Sequence, residues 1–148
     1  MGVVYTDKSD AFLKRVEKAA ESGLDRATLF VSTEMSESMP DAPVPTGEGG
    51  WKTRTNFHSA PGRPPWAQSG NLRRNLANGR VSRLKWAAGT IRGMTMTDDG
   101  KYNYGLLLEF GTSKMAARPW ARPAINNNRI RIGKEFIKGF QASMGGGT

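Results

Sequence analysis

Between Ser9 and Val31, apolar residues recur at helical spacing: Phe12, Val16, Ala19, Ala20, Leu24, Ala27 and Val31 form one stripe. Lys14, Arg15, Glu17, Lys18, Glu21, Asp25 and Arg26 fill much of the remaining surface. The pattern predicts an amphipathic helix of about six turns, with Ser9 as its cap and Asp10 near the positive end of its dipole. Gly23 weakens it locally, by about 1 kcal/mol relative to Ala. From Ser36 to Trp66 the periodicity dissolves under Pro40, Pro43, Pro45, Gly47, Gly49, Gly50, Pro61, Gly62, Pro64 and Pro65. Only Trp51–Phe57 alternates well enough for a short strand. Residues 36–66 are therefore read as an extended Pro/Gly-rich loop or arm that orders against a neighbouring subunit; disorder in the free chain fits the pattern equally well.

Further on, Ser69 is placed to cap a short helix with Leu72 and Leu76 on one side and Arg73 and Arg74 on the other. Arg80–Trp86 and Thr90–Thr97 read as two strands around the turn Ala87–Gly89. Asp98-Asp99-Gly100 is a turn signal before a third strand-like run from Tyr102, and antiparallel pairing is expected. The apolar run Tyr104–Phe110 reads as a buried strand or short helix. It leads through Gly111-Thr112 into two Arg-Pro pairs, a stiff, positively charged elbow. Beyond Pro123, the residues Ala124, Ile125, Ile130, Ile132, Phe136, Ile137 and Phe140 predict a C-terminal helix, irregular near Asn126–Asn128. Residues 144–148 are expected to form a flexible tail. The 148 residues fit a single domain, 1–148, with one core and no fixed-period repeat.

Composition removes several classes of chemistry. There is no cysteine, which excludes disulfides, thiolate catalysis and Cys-based metal sites, and the single His58 excludes a His pair. No run approaches the roughly 18 to 20 apolar residues of a membrane span, and no hydrophobic signal core opens the chain. No metal, cofactor or membrane partner is expected. The net charge of +9 is uneven: residues 1–49 hold five Lys/Arg against nine Asp/Glu, and residues 50–148 hold 17 against four. A net of −4 followed by one of +13 suits DNA phosphates, and it equally suits head-to-tail contact between copies.

Catalytic groups are few. Asp98 and Asp99 sit in a turn sequence, and His58 lies in the polar loop, where an exposed, non-catalytic role is the default. Glu109, flanked by Leu106, Leu107, Leu108 and Phe110, has two readings. It is a desolvated catalytic carboxylate, or it accepts local backbone amides or pairs with Arg118 or Arg122 and so locks the elbow. With no second acid nearby in sequence the second is preferred, and no enzymatic activity is expected. Arg73, Arg74, Arg80, Arg83 and Lys85, with Trp66 and Trp86, make a candidate basic contact surface for nucleic acid. Against this, the tryptophans serve as core or interface anchors while the cations face solvent or an acidic partner.

Two segments carry a family resemblance. The stronger is Tyr104-Gly-Leu-Leu-Leu-Glu-Phe-Gly-Thr-Ser-Lys-Met-Ala-Ala-Arg-Pro-Trp-Ala-Arg-Pro-Ala124; the weaker is Pro64-Pro-Trp-Ala-Gln-Ser-Gly-Asn-Leu-Arg-Arg-Asn-Leu76. Together they resemble the phage tail-component family named after gene product ten of the HK-type lambdoid phages, over roughly residues 9–143. Asn75 stands where Ser is commoner in that family, and the stretch from Gly47 to Gly62 is longer than its pattern.

The resemblance implies an α+β fold: a small antiparallel sheet packed by a long N-terminal helix and a C-terminal helix, with a long Pro/Gly-rich loop. It implies a structural virion protein of the neck or tail-completion type, assembled in the host cytoplasm into a homo-oligomeric ring at the head–tail interface. A closed ring of about six or twelve copies would meet neighbouring head-completion and tail-terminator or tail-tube proteins, with genomic DNA passing through the channel. The subunit interface or structural elbow would comprise Glu109, Phe110, Gly111, Thr112, Lys114, Arg118, Pro119, Trp120, Arg122 and Pro123. Within it, Pro119 and Pro123 fix φ, and Arg118 and Arg122 present planar donors for bidentate pairing. The rival expectation is a basic nucleic-acid-binding module.

Overall fold

A computed structural model describes residues 9–42, 58–67, 70–90 and 103–145. The expected strand Trp51–Phe57, the Ser69 cap, the Asp98–Gly100 turn and most of Thr90–Thr97 lie outside the described residues. The first helix, α1 (Ser9–Glu37), runs 29 residues, about eight turns rather than six. A one-turn helix α2 (Asn71–Arg74) leads into a hairpin, β1 (Leu76–Ser82) and β2 (Lys85–Thr90). Three helices follow: α3 (Tyr104–Phe110), α4 (Ala121–Asn127) and α5 (Arg129–Gly145). The fold is α+β, a small two-stranded antiparallel sheet with a long N-terminal helix and a C-terminal helix.

α1 and α5 form the most extensive contact, and their cross-links fix its direction. Glu34 pairs with Arg131 at 3.3 Å, Arg26 with Glu135 at 2.7 Å, and Arg15 donates to the Met144 carbonyl at 3.1 Å. As numbering falls along α1 it rises along α5, so the helices are antiparallel. They approach closely because each places a glycine at the crossing. A Cβ on Gly139 would stand 2.7 Å from the Ser22 carbonyl oxygen, and one on Gly23 would stand 2.8 Å from the Phe136 ring. The first three buried positions of α1 are accordingly small: Ala19, Gly23 and Ala27. Phe12, which opens the apolar stripe, is exposed.

The hairpin differs in register from the sequence expectation. Ala87–Gly89 lies inside β2, paired with Ala77–Gly79 of β1, and the turn is made by Arg83 and Leu84. Leu84 has φ 53°, the only non-glycine residue with positive φ among those described. Tyr104–Phe110 is a helix and not a third strand: Asn103 caps it by accepting from Gly105 N at 2.9 Å, and Gly111 ends it at φ 75°. Leu76, expected on the short helix, opens β1. The irregularity foreseen near Asn126–Asn128 is a break at Asn128 between α4 and α5. Met144 and Gly145, expected in a flexible tail, are helical.

The core lies where the C-terminal end of α1 meets α2, α3 and α4. Met35, Met39, Leu72, Trp120 and Ala124 are buried together, with Val31, Leu76, Tyr104, Leu108 and Ala121 packed around them. Burial pushes the Tyr104 phenol above its ordinary pKa, and a hydrogen bond with the Leu72 backbone pulls the other way.

Candidate functional site: an elbow closed by a buried carboxylate

Glu109 reaches the elbow because α3 stops one residue later. The Gly111 amide donates to the Leu107 carbonyl at 2.8 Å, and a Cβ there would stand 2.8 Å from both Ala117 N and Met115 O. Positive φ and close approach thus both demand glycine. The chain then reverses in a tight turn. Thr112 N donates to Met115 O at 2.8 Å, and the Thr112 hydroxyl accepts from Lys114 N and Met115 N at 3.2 and 3.1 Å. Lys114 is exposed at the tip. On the return, Arg118 N donates to the Leu108 carbonyl at 2.7 Å, laying residue 118 along α3.

This return brings the start of α4 onto Glu109. Its carboxylate accepts from Trp120 N at 2.8 Å, Ala121 N at 2.9 Å and Arg122 N at 3.0 Å. A helix leaves its first four backbone amides without internal partners. Here Glu109 takes three of them, and the fourth residue is Pro123, which has no N–H to satisfy. No side chain of the Trp120 cap does this work; a carboxylate eleven residues upstream does. The negative charge is met by the helix start and by Arg122, whose Nε lies 3.7 Å from Oε1. Trp120 is buried and donates its indole N–H to the Gly105 carbonyl at 3.1 Å, which ties both ends of α3 to the elbow.

The two arginines of the elbow part company. Arg122 is exposed, its guanidinium 4.4 Å from the Phe110 ring centroid. Arg118 is buried, 6% exposed, and turns inward. Its Nε donates to the Ser59 carbonyl at 2.8 Å, one terminal nitrogen lies 3.0 Å from His58 Nδ1, and the other is 3.5 Å from the Ala116 carbonyl. Arg118 therefore offers no outward fork, contrary to the sequence expectation, and it does not pair with Glu109. It pins the 58–67 segment, helped by Gly62 N donating to Ala117 O at 2.9 Å. His58 is exposed as a residue, but its imidazole serves this anchor. The described end of the expected arm thus docks on its own elbow.

Outside the elbow, the basic residues are scattered and mostly paired. Arg80 meets Glu21 at 2.8 Å and stacks 5.6 Å from the Trp86 ring; Arg83 meets Glu17. Arg73 donates to Asp41 Oδ1 at 2.9 Å and to the Met39 carbonyl. Arg74 reaches Asn71 Oδ1 at 3.5 Å, and Lys85 is exposed at the start of β2. The acidic first third and basic remainder are partly matched within one chain. Sequence reasoning missed Ser59 and Asn103. For Asn103 the signal was present, an Asn immediately before an apolar run that ends in glycine.

No group of three or more His, Asp or Glu able to hold a metal occurs among the described residues, and no described helix is long and apolar enough to cross a membrane. Compared with family models, curated proteins and solved structures, the chain matches none.

Proposed function

We propose that this chain is a structural virion protein of the neck or tail-completion type, acting in a homo-oligomeric ring where phage head meets tail. The observation that carries the reading is the elbow. A buried carboxylate fixes α3 to α4, and the outer side of that rigid unit is apolar. Leu106 and Phe110, four residues apart on α3, are 57% and 61% exposed. Arg122 joins them by its contact with Phe110, and Ile125, one turn on along α4, is also exposed. Apolar residues beside an arginine, on a backbone that cannot yield, make the kind of surface that anchors a subunit interface. The order of residues from Tyr104 to Ala124 supports the same reading through its resemblance to the phage family.

Native mass spectrometry of the purified chain, alone and with neck or tail-tube partners, tests it. A closed oligomer is expected, lost in Phe110→Ser and retained in Leu84→Ser, a similarly exposed residue on the hairpin. A strict monomer that never enters virions would overturn the proposal. The nucleic-acid alternative is weakened because Arg73, Arg80 and Arg83 already have carboxylate partners. Steeply salt-dependent DNA binding abolished by Arg73→Ala/Arg74→Ala would restore it.

A further inference from the structure

A cavity of about 540 Å3 opens beside the elbow, between the 58–67 segment, α2, the start of α3 and the 112–116 turn. Its walls are largely apolar, with Met39, Pro65, Trp66, Leu72, Leu108 and Met115 among them. The polar side chains reaching it are mainly donors. Ser59 is 2% exposed, and its Oγ has no hydrogen-bond partner among the described residues. Arg73 Nε is also buried and unpartnered, although the terminal nitrogens of the same guanidinium are held by Asp41 and the Met39 carbonyl. Lys114 and Arg118 add positive charge, and no Asp or Glu is among the described lining residues.

Buried polar groups are ordinarily paired, so two unpartnered groups able to donate, on residues lining one cavity, call for an acceptor. A small inorganic anion would satisfy them but leave the apolar walls uncovered. A neutral peptide would cover the walls and leave the charges of Lys114 and Arg118 unmatched, and a basic one would be repelled. We propose that the cavity binds an acidic peptide segment of a partner protein. An apolar side chain would rest on Leu72, Leu108 and Met115, and an adjacent carboxylate would accept from Ser59 Oγ and Arg73 Nε. That the partner is a neighbour in the phage neck rests on the function proposed above; the chemistry of the cavity does not.

The probe is the N-acetylated, C-amidated pentapeptide Ala-Leu-Glu-Leu-Ala, titrated into the full chain and followed by two-dimensional amide NMR. Its Gln and Lys counterparts serve as controls. Shifts centred on Ser59, Leu72, Arg73 and Met115 are expected, with the Glu peptide binding about tenfold more tightly than the Gln peptide and losing that advantage in high salt. Ser59→Ala removes one hydroxyl without disturbing an internal bond, and it should weaken binding by about three- to tenfold. Arg73→Gln should weaken it further. Equal affinity for the Glu and Gln peptides, shifts elsewhere, or no response at millimolar peptide would overturn the proposal. Native mass spectrometry on the same samples separates the two readings. An intact ring with no peptide response removes the cavity proposal alone, and a monomer that binds the Glu peptide removes the ring alone.

Discussion

Where α1 crosses α5, backbone meets backbone at Gly23 and Gly139, and ion pairs only rim the contact. At the elbow the reverse holds: one buried charge occupies the centre, and three consecutive amides close on it. The first region depends on the absence of atoms, the second on the presence of a specific pair of oxygens. The crossing should therefore tolerate loss of charge and resist an added methyl, whereas the elbow should give way when the Glu109 carboxylate is lost.

The sharpest way to break this contrast is Glu109→Ala. It strands three amides at the start of α4, and at about 1–3 kcal/mol per unsatisfied buried group, softened by entering water, a loss on the order of 3 kcal/mol is expected in urea unfolding. Glu109→Gln keeps one acceptor oxygen and should recover part of that loss. Next comes Gly139→Ala. Helix propensity favours Ala by about 1 kcal/mol, but its Cβ would press on the Ser22 carbonyl and the Gly23 Cα, which are backbone and cannot rotate away. A net loss of about 1–3 kcal/mol is expected, read as a lower Tm. A gain would show that the helices can separate at no cost.

Smaller effects probe the rims. Glu21→Gln removes the Arg80 ion pair between α1 and the hairpin, for which exposed pairs suggest about 0.2–1 kcal/mol, diminishing with salt. The smallest are pH effects of opposite sign. The Glu135 carboxyl is held below its ordinary pKa, chiefly by the Lys138 hydrogen bond and next by that of Arg26. Its contribution is present above the ordinary carboxylate range and lost as pH falls through the lowered value, so Glu135→Gln should flatten the acid limb of a stability profile. Tyr104 has its pKa raised by burial. Its contribution is present below the ordinary tyrosine range and lost as pH rises through the raised value, so Tyr104→Phe should flatten the alkaline limb. Acid would thus strain the crossing first, and alkali the core beside the elbow.

The elbow was more legible in the sequence than the crossing, because its partners are local. A carboxylate in an apolar run, followed by Gly-Thr and Arg-Pro pairs, already suggested that Glu109 accepts from backbone amides or pairs with Arg118 or Arg122. Its outward surface was less legible, since nothing in the sequence says that Arg118 turns toward His58 and Ser59, some sixty residues earlier. Gly23 and Gly139 lie still farther apart, and each alone looks like a weak point in a helix. α1 was readable from periodicity over many turns, whereas α3 was ambiguous because a seven-residue apolar run fits strand or helix. The hairpin misled because Ala87–Gly89 carries turn-forming glycine, while the actual turn uses Leu84 at a φ that leucine rarely adopts.

A single side chain gripping three successive amides has a mechanical corollary. α3 and α4 cannot hinge against one another without first dismantling that grip, so they move as one rigid lever.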